Sequence, residues 1–359
     1  MNMRTAQPTT HNLRKIDYII CMLFIHQFPD WTRFRFDSAR VLDALGKARF
    51  SEGRLAGLLS FAGTKDLETD LITEDIVANF AIDGTELDAD TIRTEVSLRA
   101  QGSSAHVQNY IGAIENYTIP LSQDRLSNWY GSLVGNRAAA WRSNASEISS
   151  DTEGLHFTGP GPERLPVEME NFLRWFENSS TDGTIKAAIA HFWFLTLRPF
   201  DRANGRIARA ITALQLSRAQ KSARMHYSLN RQILKNRDDY FRTLNRAQCG
   251  NGDLTEWILW FLRQIEESVQ TSESAIEFET KRFRFLARHS GVQTTEREQL
   301  LLNSALTEKL PRNFTAKDVA ALFGTSHDTA LREIQSLIEK GLVSANKKGG
   351  RSQTYSVVE

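Results

Sequence analysis

Thiols are almost missing from this chain. Only Cys21 and Cys249 occur among 359 residues, far apart and without metal-ligand spacing. That excludes a disulfide scaffold and the common zinc modules. An excess of one charge is missing too: the formal net charge is +1, so bulk electrostatics carry no signal for nucleic acid. No apolar run approaches the ~20 residues of a membrane span. The apolar residues 19–25 are too few and too poorly flanked to read as an export signal. With 41% hydrophobic residues, the composition is that of an ordinary globular protein. A cytoplasmic location without membrane attachment is the expectation, and the length implies two or three domains.

What is present is organised around residues 184–216. Residues 187–197 are apolar nearly all round, interrupted mainly by His191 and Thr196, so this helix belongs in a core. Pro199 disfavours helical geometry at Arg198 and ends it. After Arg198-Pro199-Phe200-Asp201-Arg202-Ala203-Asn204-Gly205-Arg206, helical spacing resumes with Ile207, Ile211 and Leu214 on one face. A helix beginning at Asn204-Gly205 offers free backbone N–H groups and a dipole that favour an anion. Gly205 permits close approach of a ligand. Arg206 and Arg209 lie near each other on the helix surface. The pattern reads as a phosphate site. A plain Asn-Gly turn with two solvated or structurally paired arginines is equally open from spacing alone.

This stretch resembles the signature loop of the Fic family, His-Pro-Phe-x-Asp/Glu-Gly/Ala-Asn-Gly-Arg-x-x-Arg. Pro199, Phe200, Ala203, Asn204, Gly205, Arg206 and Arg209 fit it in one register. The resemblance implies an all-α Fic fold and a relation to enzymes that transfer AMP from ATP to a hydroxyl of a target protein. It assigns nucleotide binding to Asn204, Gly205, Arg206 and Arg209, with Arg209 at the γ-phosphate. The family's general base is the His, and its acidic residue holds Mg²⁺.

Those two positions are Arg198 and Arg202 here. An arginine stays protonated and cannot take a proton from a hydroxyl. Nor can it ligate Mg²⁺, which requires oxygen. Asp201 sits one residue early, where its side chain points differently. Arg202 can replace part of the metal's charge toward phosphate. No other residue offers itself as base, since His191 reads as a core histidine. No metal ligand is therefore expected, and Arg202 argues against Mg²⁺.

The rest divides as follows. Residues 1–21 read as an extension, either ahead of a natural start at Met22 or as a loosely ordered arm. Residues 22–100 resemble the N-terminal helical domain of bacterial Fic proteins. Trp31, Phe34 and Phe36 read as core. Helices are expected over 38–59, 71–80 and 88–98. Many relatives carry an inhibitory helix with Ser/Thr-x-x-x-Glu-Gly/Asn, whose Glu pairs with the last signature arginine. The matching residues here are Asn79, Asp83 and Gly84, a degenerate version. Residues 101–264 form the expected Fic core, with helices at 106–116, 121–134, 168–176 and 239–247. Trp141-Arg142 resembles the family's Trp-Arg before a target-docking flap. The flap segment, 143–157, is polar and poor in β-branched residues, and reads equally as a surface loop. Residues 227–237 resemble the segment closing over a nucleotide base. A buried helix around 257–262 closes the core.

Residues 265–295 read as a charged helical connector. Residues 296–359 resemble a small winged helix-turn-helix: helices at 300–310, 316–323 and 329–340, then two strands around a basic turn. In such a unit the second helix of the motif enters the major groove. His327, Asp328, Thr329 and Arg332 would face DNA, and Lys347, Lys348 and Arg351 would meet phosphates. Protein contact is the alternative use.

Two functions are thereby expected. One is a regulator that binds ATP or another nucleotide or anion, with weak or no transfer activity, acting through the winged helix. The other is an active nucleotidyltransferase with altered chemistry. Partners are an unidentified target protein, DNA and, as in many relatives, a second copy of the chain.

Overall fold

The structure, a computed structural model, describes residues 23–59, 65–98, 103–135, 140–150, 155–307, 309–346 and 353–358. The extension and its boundary at Met22 lie outside them. So do Lys347, Lys348 and Arg351. Chain contacts separate two compact units, Met1–Glu273 and Ser274–Glu359.

The first unit is almost entirely helical. It opens with α1 (Ser38–Leu59), α2 (Lys65–Ala81), α3 (Ala89–Leu98), α4 (Ala105–Glu115) and α5 (Gln123–Val134). A hairpin follows, β1 (Glu147–Ser150) with β2 (Leu155–Thr158), antiparallel and pairing Ile148 with Phe157. Then come α6 (Leu165–Asn178), α7 (Gly183–Leu197), α8 (Asn204–Gln220), α9 (Leu229–Lys235) and α10 (Arg237–Gln248). Helix α11 (Thr255–Arg288) begins in this unit and ends in the second.

Helix α7 is buried along its whole length, from Thr184 to Leu197. Its start is capped by Asp182, whose carboxylate accepts from the amides of Thr184 and Ile185. Trp193 packs edge-on against Trp31 and Phe34, and Phe172 of α6 joins them. Trp257 of α11 donates its indole N–H to the Ala188 carbonyl at 2.8 Å. Each such buried aromatic or aliphatic side chain contributes about 1.5–3 kcal/mol through removal from water. His191 sits inside this core, fully buried. Its Nδ1 is 2.9 Å from the Thr212 hydroxyl, which itself donates to the Ala208 carbonyl. The single hydroxyl proton is thus spent, so Nδ1 is the donor and Nε2 accepts from Tyr240 at 2.8 Å. Burial holds the ring's pKa down to about 3, with Arg209 adding to the effect. His191 is a neutral core residue.

The second unit holds α12 (Glu296–Leu306), α13 (Ala316–Phe323), α14 (His327–Glu339) and an antiparallel pair, β3 (Val343–Ala345) with β4 (Tyr355–Val357). Gly324, at φ +58°, makes the turn between α13 and α14. Ser326 caps α14 by accepting from the Thr329 amide. Leu301, Val319, Ile334, Leu337 and Tyr355 form its separate core.

Several element boundaries depart from expectation. Helix α2 begins at Lys65 rather than 71, because its first turns are polar and lack an apolar face. The closing helix and the connector are one 34-residue helix, with no Gly or Pro between Thr255 and Arg288 to break it. Helix α12 begins at Glu296 rather than 300, fixed by a capping box in which Thr295 and Glu298 bond reciprocally. Residues 143–157 are not a plain loop, since the hairpin's first strand lies within them.

Candidate anion site at the α7–α8 loop

Helix α7 stops because Arg198 turns left-handed, at φ 45°, as the residue before proline is pushed out of helical geometry. A second non-glycine residue, Ala203, is left-handed at φ 62° just before α8. Two such residues in one loop cost about 1–2 kcal/mol each, so the surroundings must hold the loop. Two side chains do this. Asn204 accepts from the Phe200 amide at 3.0 Å and donates to the Phe200 carbonyl at 2.7 Å. Arg142, itself buried, donates to the carbonyls of Arg198, Asn144, Leu197 and Pro160. A cation there also complements the C-terminal end of the α7 dipole.

The loop forms one wall of a cavity of about 450 Å³. Ile82, Asp83 and Thr85, just past α2, form another. Ile148 and Phe157 come from the hairpin. Arg237, Tyr240, Phe241, Leu244, Asn245 and Gln248 come from α10. The start of α8 has no side-chain cap, so its first amides remain available to an anion.

Five arginines and two carboxylates line this cavity. Arg209 is 1% exposed and donates through Nε to the Asn79 side-chain oxygen and through Nη2 to the Asn79 carbonyl. Its Nη2 also lies 3.0 Å from Asp83. Burial disfavours the Arg209 charge, but Asp83 and Tyr240 outweigh it and leave its pKa raised. Burial pushes the Tyr240 hydroxyl up to about 12, against the neighbouring Arg209 charge, which lowers it. Gly205 makes the Asp83 contact feasible: a Cβ there would sit 2.9 Å from an Asp83 oxygen.

Arg206 stacks over Phe80, 4.9 Å from the ring centroid. Its buried Nε has no hydrogen-bond partner among the described residues, and Asp83 is 3.7 Å away. Arg198 donates through Nε to the Ser146 hydroxyl at 2.8 Å. Burial and the nearby Arg142 lower its pKa to about 10, still protonated at neutral pH. Arg202 is exposed, with Nη2 3.4 Å from the Val134 carbonyl.

Arg202, at the family's metal-ligand position, offers no oxygen to Mg²⁺, and the carboxylates lining the cavity are Asp83 and Asp201. Asp201 is exposed beside Arg202, and Asp83 is paired with Arg209.

The structure therefore gathers Asn79, Asp83, Arg198, Gly205, Arg206 and Arg209 in one place. Asn204 is beside them, with its side chain engaged by the loop. His327, Thr329 and Arg332 belong to the second unit, on the first turns of α14. His327, Asp328 and Arg332 are exposed, and Thr329 is half-buried. Sequence reasoning missed Ser146 and Asn245. The side-chain oxygen of Asn245 is buried without a hydrogen-bond partner among the described residues, and the residue lines the cavity. Nothing local marks either residue.

An all-α core whose α7–α8 loop presents an anion-ready helix start defines the Fic class of fold. Residues 120–216 match the Fic/DOC family. Residues 24–101 match a domain of unknown function, DUF4172. Protein adenylyltransferase fic-1 of Caenorhabditis elegans is 29% identical over 119 residues. That alignment takes in 32% of this chain and 22% of the relative, so it spans about a fifth of the relative's length. A Fic family protein from Desulfovibrio desulfuricans G20 shares the fold, with a TM-score of 0.54 at 18% identity. The superposition covers 90% of this chain and 97% of that one. No described helix is long and apolar enough to cross a membrane.

Proposed function

We propose that this chain is a nucleotide- or anion-binding regulator built on a Fic fold, with weak or no transfer activity of its own. One observation carries the reading. The cavity keeps the arginines that receive phosphate, while Arg198 occupies the family's general-base position. A protonated guanidinium tied to Ser146 cannot accept a proton from an attacking hydroxyl. The kinship with a protein adenylyltransferase supports ATP as the first ligand to try. The unpartnered Asn245 oxygen adds an acceptor for a ligand's N–H or O–H group. The output is assigned to the second unit, where His327, Thr329 and Arg332 on α14 would meet DNA.

The test is calorimetric titration of the full chain with ATP, ADP, GTP and inorganic phosphate, alongside Arg206→Ala. Binding of a nucleotide that is lost in Arg206→Ala is the expected result. If none of the four binds, the reading is wrong. Transfer of labelled AMP to any protein, abolished by Arg206→Ala, would instead establish the transferase alternative.

A further inference from the structure

The mismatch between this cavity and a metal has a consequence for the ligand. We infer that the site takes a polyphosphate free of divalent metal, with Arg198 and Arg202 supplying the positive charge. The inference rests on the anion-binding reading above and specifies its ligand.

Three observations lead there. The cavity is lined by five arginines against two carboxylates, and one carboxylate, Asp83, is already paired with Arg209. A divalent metal cancels only two of a polyphosphate's negative charges, and it would have to lie among guanidinium groups that repel it. A metal-free polyphosphate has the opposite match. Its oxygens can accept charge-assisted, bidentate hydrogen bonds from planar guanidinium forks.

The arginines are also differently committed. Arg142, beneath the loop, is consumed by backbone carbonyls. Arg209 is held by Asn79 and Asp83. Arg198 spends only Nε, on Ser146, and its Nη groups make no hydrogen bond among the described residues. Arg202, which is exposed, has a long contact to the Val134 carbonyl and a hydrogen bond with the Tyr130 hydroxyl, and Arg206 has a buried Nε without a hydrogen-bond partner among the described residues. Arg198, Arg202 and Arg206 therefore retain donors for phosphate oxygens. The amides at the start of α8 complete a receptor for several phosphate groups.

The expected order of affinity is that tripolyphosphate and ATP bind in EDTA, and that excess Mg²⁺ weakens them by competing for the same oxygens. The experiment titrates the full chain with sodium tripolyphosphate and with ATP, each in EDTA and in millimolar Mg²⁺. It is repeated with Arg202→Ala, Arg198→Ala and Arg206→Ala. Arg202 is exposed, so its alanine variant is expected to fold, and an unchanged thermal midpoint confirms it.

Wild type is expected to bind both ligands in EDTA. Arg202→Ala and Arg198→Ala should each lose roughly tenfold or more, the scale of one charge-assisted hydrogen bond. Binding that requires Mg²⁺, or EDTA binding unchanged in both variants, would overturn the inference. Under either result Arg206→Ala would still abolish binding, leaving the anion-site reading intact. No binding of either ligand under any condition would remove both.

Discussion

In the proposed anion site, Asp83 is the residue with which an incoming phosphate would compete. Its carboxylate lies 3.0 Å from Arg209 and 3.7 Å from Arg206, where an incoming phosphate would otherwise lie. Arg209 keeps two hydrogen bonds to Asn79 without it, so removal leaves the buried guanidinium partly satisfied. Asp83→Ala is therefore expected to fold and to bind ATP roughly tenfold tighter, through loss of one competing charge-assisted contact. Titration of wild type and variant side by side checks this, and equal or weaker binding would count against Asp83 as a competitor. The residues at this site were unevenly legible. Arg198, Arg202, Arg206 and Arg209 stand in one continuous stretch, and the spacing of Asn79 to Asp83 marks the second. Ser146 and Asn245 reach the cavity only because a hairpin and α10 fold over it, which no local pattern announces. Asn204 was readable as part of the motif, but not that its amide would be spent on Phe200.

At the scale of elements, α2 is held by a buried acid in its middle. Asp75 is 1% exposed and accepts from the Tyr110 hydroxyl of α4, from the Ser228 hydroxyl, and from the amide and side chain of Asn230. It thereby joins the helix leading to Asp83 to the start of α9. Burial is the largest influence and raises its pKa to about 6, against the hydrogen bonds and the Arg209 charge, which oppose it. The folded pKa lies above the unfolded value of about 3.9, so the native state binds the proton more tightly. This contribution to stability is present below about pH 4 and is lost as pH rises through about 6. The loss is on the order of 2–3 kcal/mol. Asp75→Asn removes the titration. The stability difference between wild type and variant, measured by denaturant unfolding from pH 4 to pH 7, should move in the variant's favour as pH rises. A difference independent of pH would mean that Asp75 does not titrate in this range. Nothing in the sequence of α2 singled out Asp75, because it is one of five acids in that helix and reads as solvated like the rest until α4 and α9 cover it.

For the whole molecule, the order of elements was more legible than their limits. Apolar periodicity located helices well, and in the structure Ser122, Thr315 and Ser326 each accept from an amide within the first turn that they cap. Where no local stop exists, as between Thr255 and Arg288, division into separate helices had no physical basis. The two units have separate cores, and each is assigned its own ligand. Ligand binding stabilises only the folded unit that holds the site, by about 2.7 kcal/mol at a hundredfold excess over Kd. Calorimetric melting of the full chain should therefore show two transitions. ATP should raise the one belonging to the first unit. A short DNA duplex should raise the other, on the order of 10 °C for a unit of that size. Arg332→Ala, at an exposed position on α14, should shrink the DNA shift and leave the ATP shift untouched. If duplex DNA moved neither transition, or moved the ATP-sensitive one, the DNA-facing role of α14 would be lost, and protein contact would take its place as the use of that helix.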